Sequence, residues 1–96
     1  MPIESTPPSH AHQFEALQRK FVEGLRRRLE EIEAAPDTAS QHAALHRLAG
    51  AAGAFGYEAL GQLARTAMLA SRDTPHQLAS ALAALYSAIQ ALIAQH

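Results

Sequence analysis

The sequence predicts an all-α protein, an antiparallel up-down-up-down four-helix bundle. Three observations carry that expectation. Apolar residues recur at three- and four-residue spacing in four separate stretches, the period of a helix with one buried face. Short segments bearing proline, glycine or capping residues separate those stretches. The composition is rich in alanine and leucine, with 5% aromatic residues and no tryptophan, which suits packed helices better than sheets.

The chain's 96 residues bound it to one small domain with a single modest core. A formal net charge of -1 points to neither nucleic acid nor an anionic membrane as a partner. Cysteine is absent, which excludes a disulfide framework and a cysteine-bound zinc. No apolar run is read as approaching the ~20 residues of a membrane span, and no signal peptide is read. The expectation is a soluble, cytoplasmic, monomeric module.

Residues 1–8 read as a flexible tail or linker, because Ser5-Thr6-Pro7-Pro8 cannot continue a helix and buries little. The bundle then occupies residues 9–96. Ser9 is the expected N-cap of a first helix running to about Ala35. Phe14, Leu17, Phe21, Leu25, Leu29 and Ile32 form its inward stripe. Glu15 with Arg19, Glu23 with Arg27 and Arg26 with Glu30 stand at i,i+4 on its outer faces, and the Arg26–Arg28 run reads as part of a solvated surface.

Pro36-Asp37 ends that helix. Thr38 and Gln41 have the spacing of a capping box for the second, which is expected to stop at Gly56, a residue that tolerates left-handed geometry. The third helix runs to about Ser71 with Leu60, Leu63, Ala64, Ala67 and Met68 inward. Thr74-Pro75-His76-Gln77 opens the fourth, with threonine as N-cap, proline at N1 and glutamine at N3. Leu78, Leu82, Leu85, Ile89 and Leu92 make its stripe.

The second helix carries the chemistry. At roughly 100° per residue, Leu45, Leu48, Ala52 and Phe55 gather on one side, and His42, His46, Gly50 and Gly53 on the other. A glycine inside a helix costs about 0.5–1 kcal/mol relative to alanine. Two of them beside one imidazole need a reason. Either they let a neighbouring helix pack closely, or they leave bare backbone on which a partner can approach His46. Few charges follow Pro36 (Asp37, Arg47, Glu58, Arg65, Arg72 and Asp73), so the surface around His46 is smooth and weakly hydrated. An alanine-rich composition alone would produce the same smoothness.

His46-x-Leu48-x-Gly50, then small residues, Phe55-Gly56, Leu60 and Leu63, resembles the signature of histidine-containing phosphotransfer (HPt) domains. The likeness is close from Leu45 to Arg72, and the four-helix pattern extends it over nearly the whole chain. The resemblance implies that His46 is a phosphoacceptor in a multistep two-component phosphorelay. It implies as partners a response-regulator receiver domain, with Mg²⁺ on the receiver, and a hybrid sensor histidine kinase. Gly50, Gly53, Arg47, Ala49, Arg72 and His42 are then the supporting or docking positions. Ala49 departs from the pattern, since the family usually has lysine there and so gains a cation for the phosphoryl group. Arg47, Arg65 and Arg72 are the candidates to supply that charge. Met68 stands where relatives often carry a polar group for the imidazole.

The chemistry fits the residue. A neutral imidazole leaves one ring nitrogen with a free lone pair, which can attack phosphorus and form a phosphoramidate. Phosphoryl transfer is mostly positioning and electrostatics, so the histidine side needs little machinery. The sequence shows no glycine-rich phosphate loop of the P-loop type and no carboxylate cluster for Mg²⁺, so a kinase activity and a cofactor of its own are not expected. Competing readings differ in class. His42 and His46 are an i,i+4 pair that could start a metal site, but carboxylates are sparse after Pro36 and no Glu-x-x-His occurs. His10, His12 and His96 could take up metal adventitiously. A dimerisation domain of a histidine kinase would want an acid after the histidine, where this chain has Arg47. The alternative that stays open is a scaffold that docks a receiver or another helical partner without taking phosphate.

Overall fold

The computed structural model describes residues 10–96, with side chains from His12 onward. The tail at residues 1–8 and the Ser9 cap lie outside the described residues. Among those described, every regular element is helical: α1 (His10–Glu23), α2 (Leu25–Ala34), α3 (Thr38–Ala54), α4 (Glu58–Asp73), a 3-10 turn (Pro75–Gln77) and α5 (Leu78–Gln95). Helix α2 packs against α3 and α5, α3 against α4, and α4 against α5, so four rods enclose one core. Leu25, Ile32, Leu45, Leu48, Leu85 and Ile89 are fully buried at its centre.

The expected first helix is two segments. Gly24 sits between them with φ -85° and ψ -3°. Its N–H donates to the Lys20 and Phe21 carbonyls at 3.1 Å each, and its own carbonyl accepts from Arg28 N–H at 3.1 Å. The hydrogen-bond ladder therefore runs on past Gly24, and regular helix is interrupted only at this residue of low helix propensity. Phe14 and Leu17, expected inward, are 40% and 48% exposed. The reason is where α1 lies: Gln18 Nε2 donates to the Phe55 carbonyl at 2.8 Å and the Phe14 ring centre is 6.5 Å from that of Phe55, so Phe14 meets only the end of α3 and is covered on one side. Phe21 and Val22 carry the burial instead.

None of the three expected ion pairs on this rod forms among the described residues. His12 Nδ1 lies 3.8 Å from Glu15 Oε1, and the Arg28 guanidinium lies 5.7 Å from the centre of the Phe21 ring. Exposed pairs gain little from holding two long side chains in one geometry.

Ala35 leaves α2 with ψ 126°, as a residue before proline prefers. The cap of α3 is Asp37, not Thr38: its carboxylate accepts from Ser40 N–H at 2.7 Å. Those hydrogen bonds hold the Asp37 carboxyl below its ordinary range. Gln41, expected to close a capping box, reaches back to the Ile32 carbonyl at 3.4 Å and ties α3 to α2.

Helix α3 ends as a glycine allows. Gly56 has φ +84°, its N–H donates to the Gly53 carbonyl at 3.2 Å, and Tyr57 N–H donates to the Ala52 carbonyl at 2.8 Å. That pair of bonds is a Schellman motif. Phe21 covers the turn, with ring centres 5.4 Å from Phe55 and 5.5 Å from Tyr57.

Helix α4 runs two residues past the expected end, to Asp73. Ser71 is buried, and its hydroxyl is satisfied by the Met68 carbonyl at 2.7 Å. The expected Thr74 side-chain cap does not form; Gln77 N–H donates to the Thr74 carbonyl at 2.8 Å and makes a 3-10 turn.

The segment Pro75–Gln95 corrects the reading of apolar runs, because by length and composition it could cross a membrane. Its distribution of sizes explains the hydropathy. Leu85 and Ile89 are fully buried, and Leu78, Leu82, Tyr86, Leu92 and Ile93 are half-buried. Within α5 the exposed positions are Ala79, Ser80, Ala83, Ala84, Ser87, Gln90, Ala91, Ala94 and Gln95. Bulk faces the bundle and alanine faces out.

Candidate functional site

Helix α3 sorts its residues into two faces, and His46 belongs to the open one. Leu45, Leu48 and Ala52 are fully buried, while His46, Arg47, Gly50 and Gly53 are exposed and His42 is half-buried. A Cβ built on Gly50 or Gly53 would meet nothing within 4 Å. Close helix packing therefore does not explain these two glycines. They leave the strip beside the imidazole without side chains.

The glycine that packs is one on which the sequence reading placed no weight. At Gly61 of α4 a Cβ would lie 3.4 Å from the Ala49 carbonyl oxygen, 3.6 Å from Gly53 N and 3.7 Å from the Ala52 Cβ. Small residues at 49, 52 and 53 facing small residues at 61 and 64 are the pattern that could have revealed it. This contact joins residues on either side of the Gly56 turn.

Where the two helices meet, a shallow groove of about 300 Å³ is lined by Ala49, Gly53, Glu58, Gly61, Gln62 and Arg65. Ala49 itself is 5% exposed, at the floor of that groove and not on the open strip. Gly50, His42 and Arg47 stay on α3 around the histidine. Arg72 is separate, near the far end of α4, where its Nε donates to Asp73 Oδ1 at 3.4 Å. Met68 is half-buried. Among the described residues, no hydrogen bond or ion pair engages the His46 ring.

The arrangement leaves an imidazole free to act as a nucleophile on a partner's group. Among the described residues, no three histidine, aspartate or glutamate side chains converge as metal ligands would. A wider hollow of about 640 Å³ opens between α4 and α5 at Thr66, Leu69, Asp73, Gln77 and Ser80, but no histidine or arginine lines it. Size alone does not locate the chemistry.

A family model described as Hpt domain matches residues 11–95, nearly the whole chain. No curated protein and no solved structure matches.

Proposed function

The chain belongs to the Hpt domain family, and from that membership we propose that His46 takes a phosphoryl group from the aspartyl phosphate of a receiver domain and passes it to another. The observation that carries the reading is the exposed His46 ring on a strip cleared of side chains by Gly50 and Gly53. A lone-pair nitrogen of the neutral ring forms the N–P bond as the acyl phosphate O–P bond breaks. The receiver carboxylate leaves with that bond's electrons, and the ring's surplus proton goes to water. The reverse step returns the phosphoryl group to a carboxylate.

The donor receiver supplies Mg²⁺ and geometry, while this chain supplies the nucleophile and the open approach. Its bundle is up-down-up-down antiparallel, it acts as a monomer in the cytoplasm, and it needs neither ATP nor a cofactor. A hybrid sensor kinase feeds the relay.

The test is incubation with a phosphorylated receiver and Mg²⁺, followed by assay for acid-labile, base-stable phosphate. Wild type takes up label, His46→Gln takes up none, and His42→Gln changes the rate at most modestly. Helical content stays the same in both variants, because an exposed polar exchange alters stability by about 0.5 kcal/mol or less. Full labelling of His46→Gln overturns the assignment. A folded wild type that accepts phosphate from neither a receiver nor phosphoramidate leaves the phosphate-free scaffold as the reading, one that the uncharged Ala49 favours.

A further inference from the structure

We infer that Arg65, on the neighbouring helix, is the cation that holds the phosphoryl group on His46. The inference rests on the transfer reading above and extends it to a second side chain. A phosphoryl group brings nearly two negative charges, and a guanidinium is the side chain best shaped to meet its oxygens. The residues of α3 on the histidine's own strip are His42, Gly50 and Gly53, with Ala49 beside them at the groove floor; none is an arginine or lysine. The cation has to come from elsewhere.

Register decides which one. Gly61 sits against Ala49 and Gly53, so it is level with the turn around Ala51. Moving four residues along α4, from Gly61 to Arg65, moves back four along α3, to the level of Arg47. Arg65 is thus within one residue of His46 along the bundle axis. By the same count Arg72 is level with Ser40, about 9 Å from the histidine at roughly 1.5 Å per residue. Arg72 is also engaged with Asp73 at 3.4 Å. Arg47 is adjacent in sequence, and neighbours i,i+1 do not share a face.

The groove gives Arg65 room. It is exposed, it lines the groove together with Ala49 and Gly53, and among the described residues no acid pairs with it. Glu58, the carboxylate in the same groove, stands nearly two turns away on α4 and does not form an ion pair with it. Bulk at 49 or 53 would close the path across α3. With alanine and glycine there, the side chain can swing over the groove floor toward His46 when the phosphoryl group arrives. The charge is then supplied across a helix pair.

The experiment measures an equilibrium, because a docking or folding role would alter rates and leave the partition between the two phosphoproteins alone. Labelled receiver and this chain are brought to equilibrium with Mg²⁺, and phosphohistidine is compared with phosphoaspartate. Arg65→Gln is expected to shift the partition toward the receiver by about three- to tenfold, the scale of one partly exposed charge-assisted contact. Arg65→Lys keeps most of the wild-type partition. Arg65→Gln combined with Ala49→Lys, which puts a cation back into the groove from α3, restores it. Circular dichroism confirms folding, and if the double variant does not fold, the Arg65→Lys comparison still decides. A wild-type partition in folded Arg65→Gln overturns this inference while leaving His46 as acceptor. No labelling of wild type overturns the transfer reading and this inference with it.

Discussion

Gly61 approaches Ala49 so closely that a single added carbon would stand 3.4 Å from the Ala49 carbonyl oxygen. This contact holds α4 beside the histidine helix and sets the register of the groove. Alanine at 61 just fits, and it favours helix by about 0.5–1 kcal/mol over glycine. Gly61→Ala is therefore expected to leave stability unchanged or raise it slightly. Gly61→Leu has to push the two helices apart and should lower stability by about 1–3 kcal/mol. Urea denaturation of the two variants checks the contrast; equal stability would mean that the helices are not held at this point.

Gly53 borders the same groove, but a Cβ added to it would meet nothing within 4 Å. Gly53→Gln should stabilise the isolated chain by up to about 1 kcal/mol, since glutamine is the better helix former. The same substitution should impair binding and phosphoryl transfer with a receiver, because it puts bulk two turns from His46. Thermal melts and transfer rates on one preparation separate the effects. An unfolded variant whose folded fraction still transfers normally would instead mean that the position packs.

Gly56 is where the chain needs its left-handed residue, at φ +84°. Gly56→Ala strains that conformation, and the expected loss is about 1–2 kcal/mol. Gly50→Ala, in regular helix with space beside it, should move stability the opposite way. The sign difference, read from melting midpoints, is the test.

Asp37 makes the start of α3 sensitive to acid. Its carboxyl titrates below its unfolded value of 3.8, chiefly because Ser40 donates a backbone hydrogen bond to the charged form. A depressed folded value means that the stabilisation is present above the unfolded value and is lost as pH falls through the folded one. Stability should therefore drop as pH is taken below about 4, a carboxylate's ordinary range. Asp37→Asn keeps an oxygen for Ser40 and removes the titration, so its stability curve should be flatter there. Parallel curves for the two proteins would rule the cap out as the cause.

Much of the fold was legible because helical periodicity is a local property. Leu45, Leu48 and Ala52, and likewise Leu85 and Ile89, repeat at the spacing that forces one face inward, and the structure buries all five. Gly56 could be placed at a helix end because only glycine takes positive φ at no steric cost, and proline after Ala35 had to stop a helix. His46 was singled out by the small residues around it, and its exposure on α3 follows from the same periodicity. Phe14 and Leu17 continue the inward stripe of α1 equally well, yet they are exposed, because periodicity does not say where a facing helix ends. Choosing Asp37 over Thr38 as cap took the backbone geometry, since both residue types can cap and they are adjacent. The sequence by itself determined which residues form helices, which face of each turns inward and which histidine stands on bare backbone, for these depend on angles within one helix. Only the tertiary structure decided that Gly61 seats against Ala49, that a Cβ on Gly50 or Gly53 would meet open space, and that Arg65 shares a groove with Ala49 and Gly53, because contact between helices depends on how two separate rods lie together.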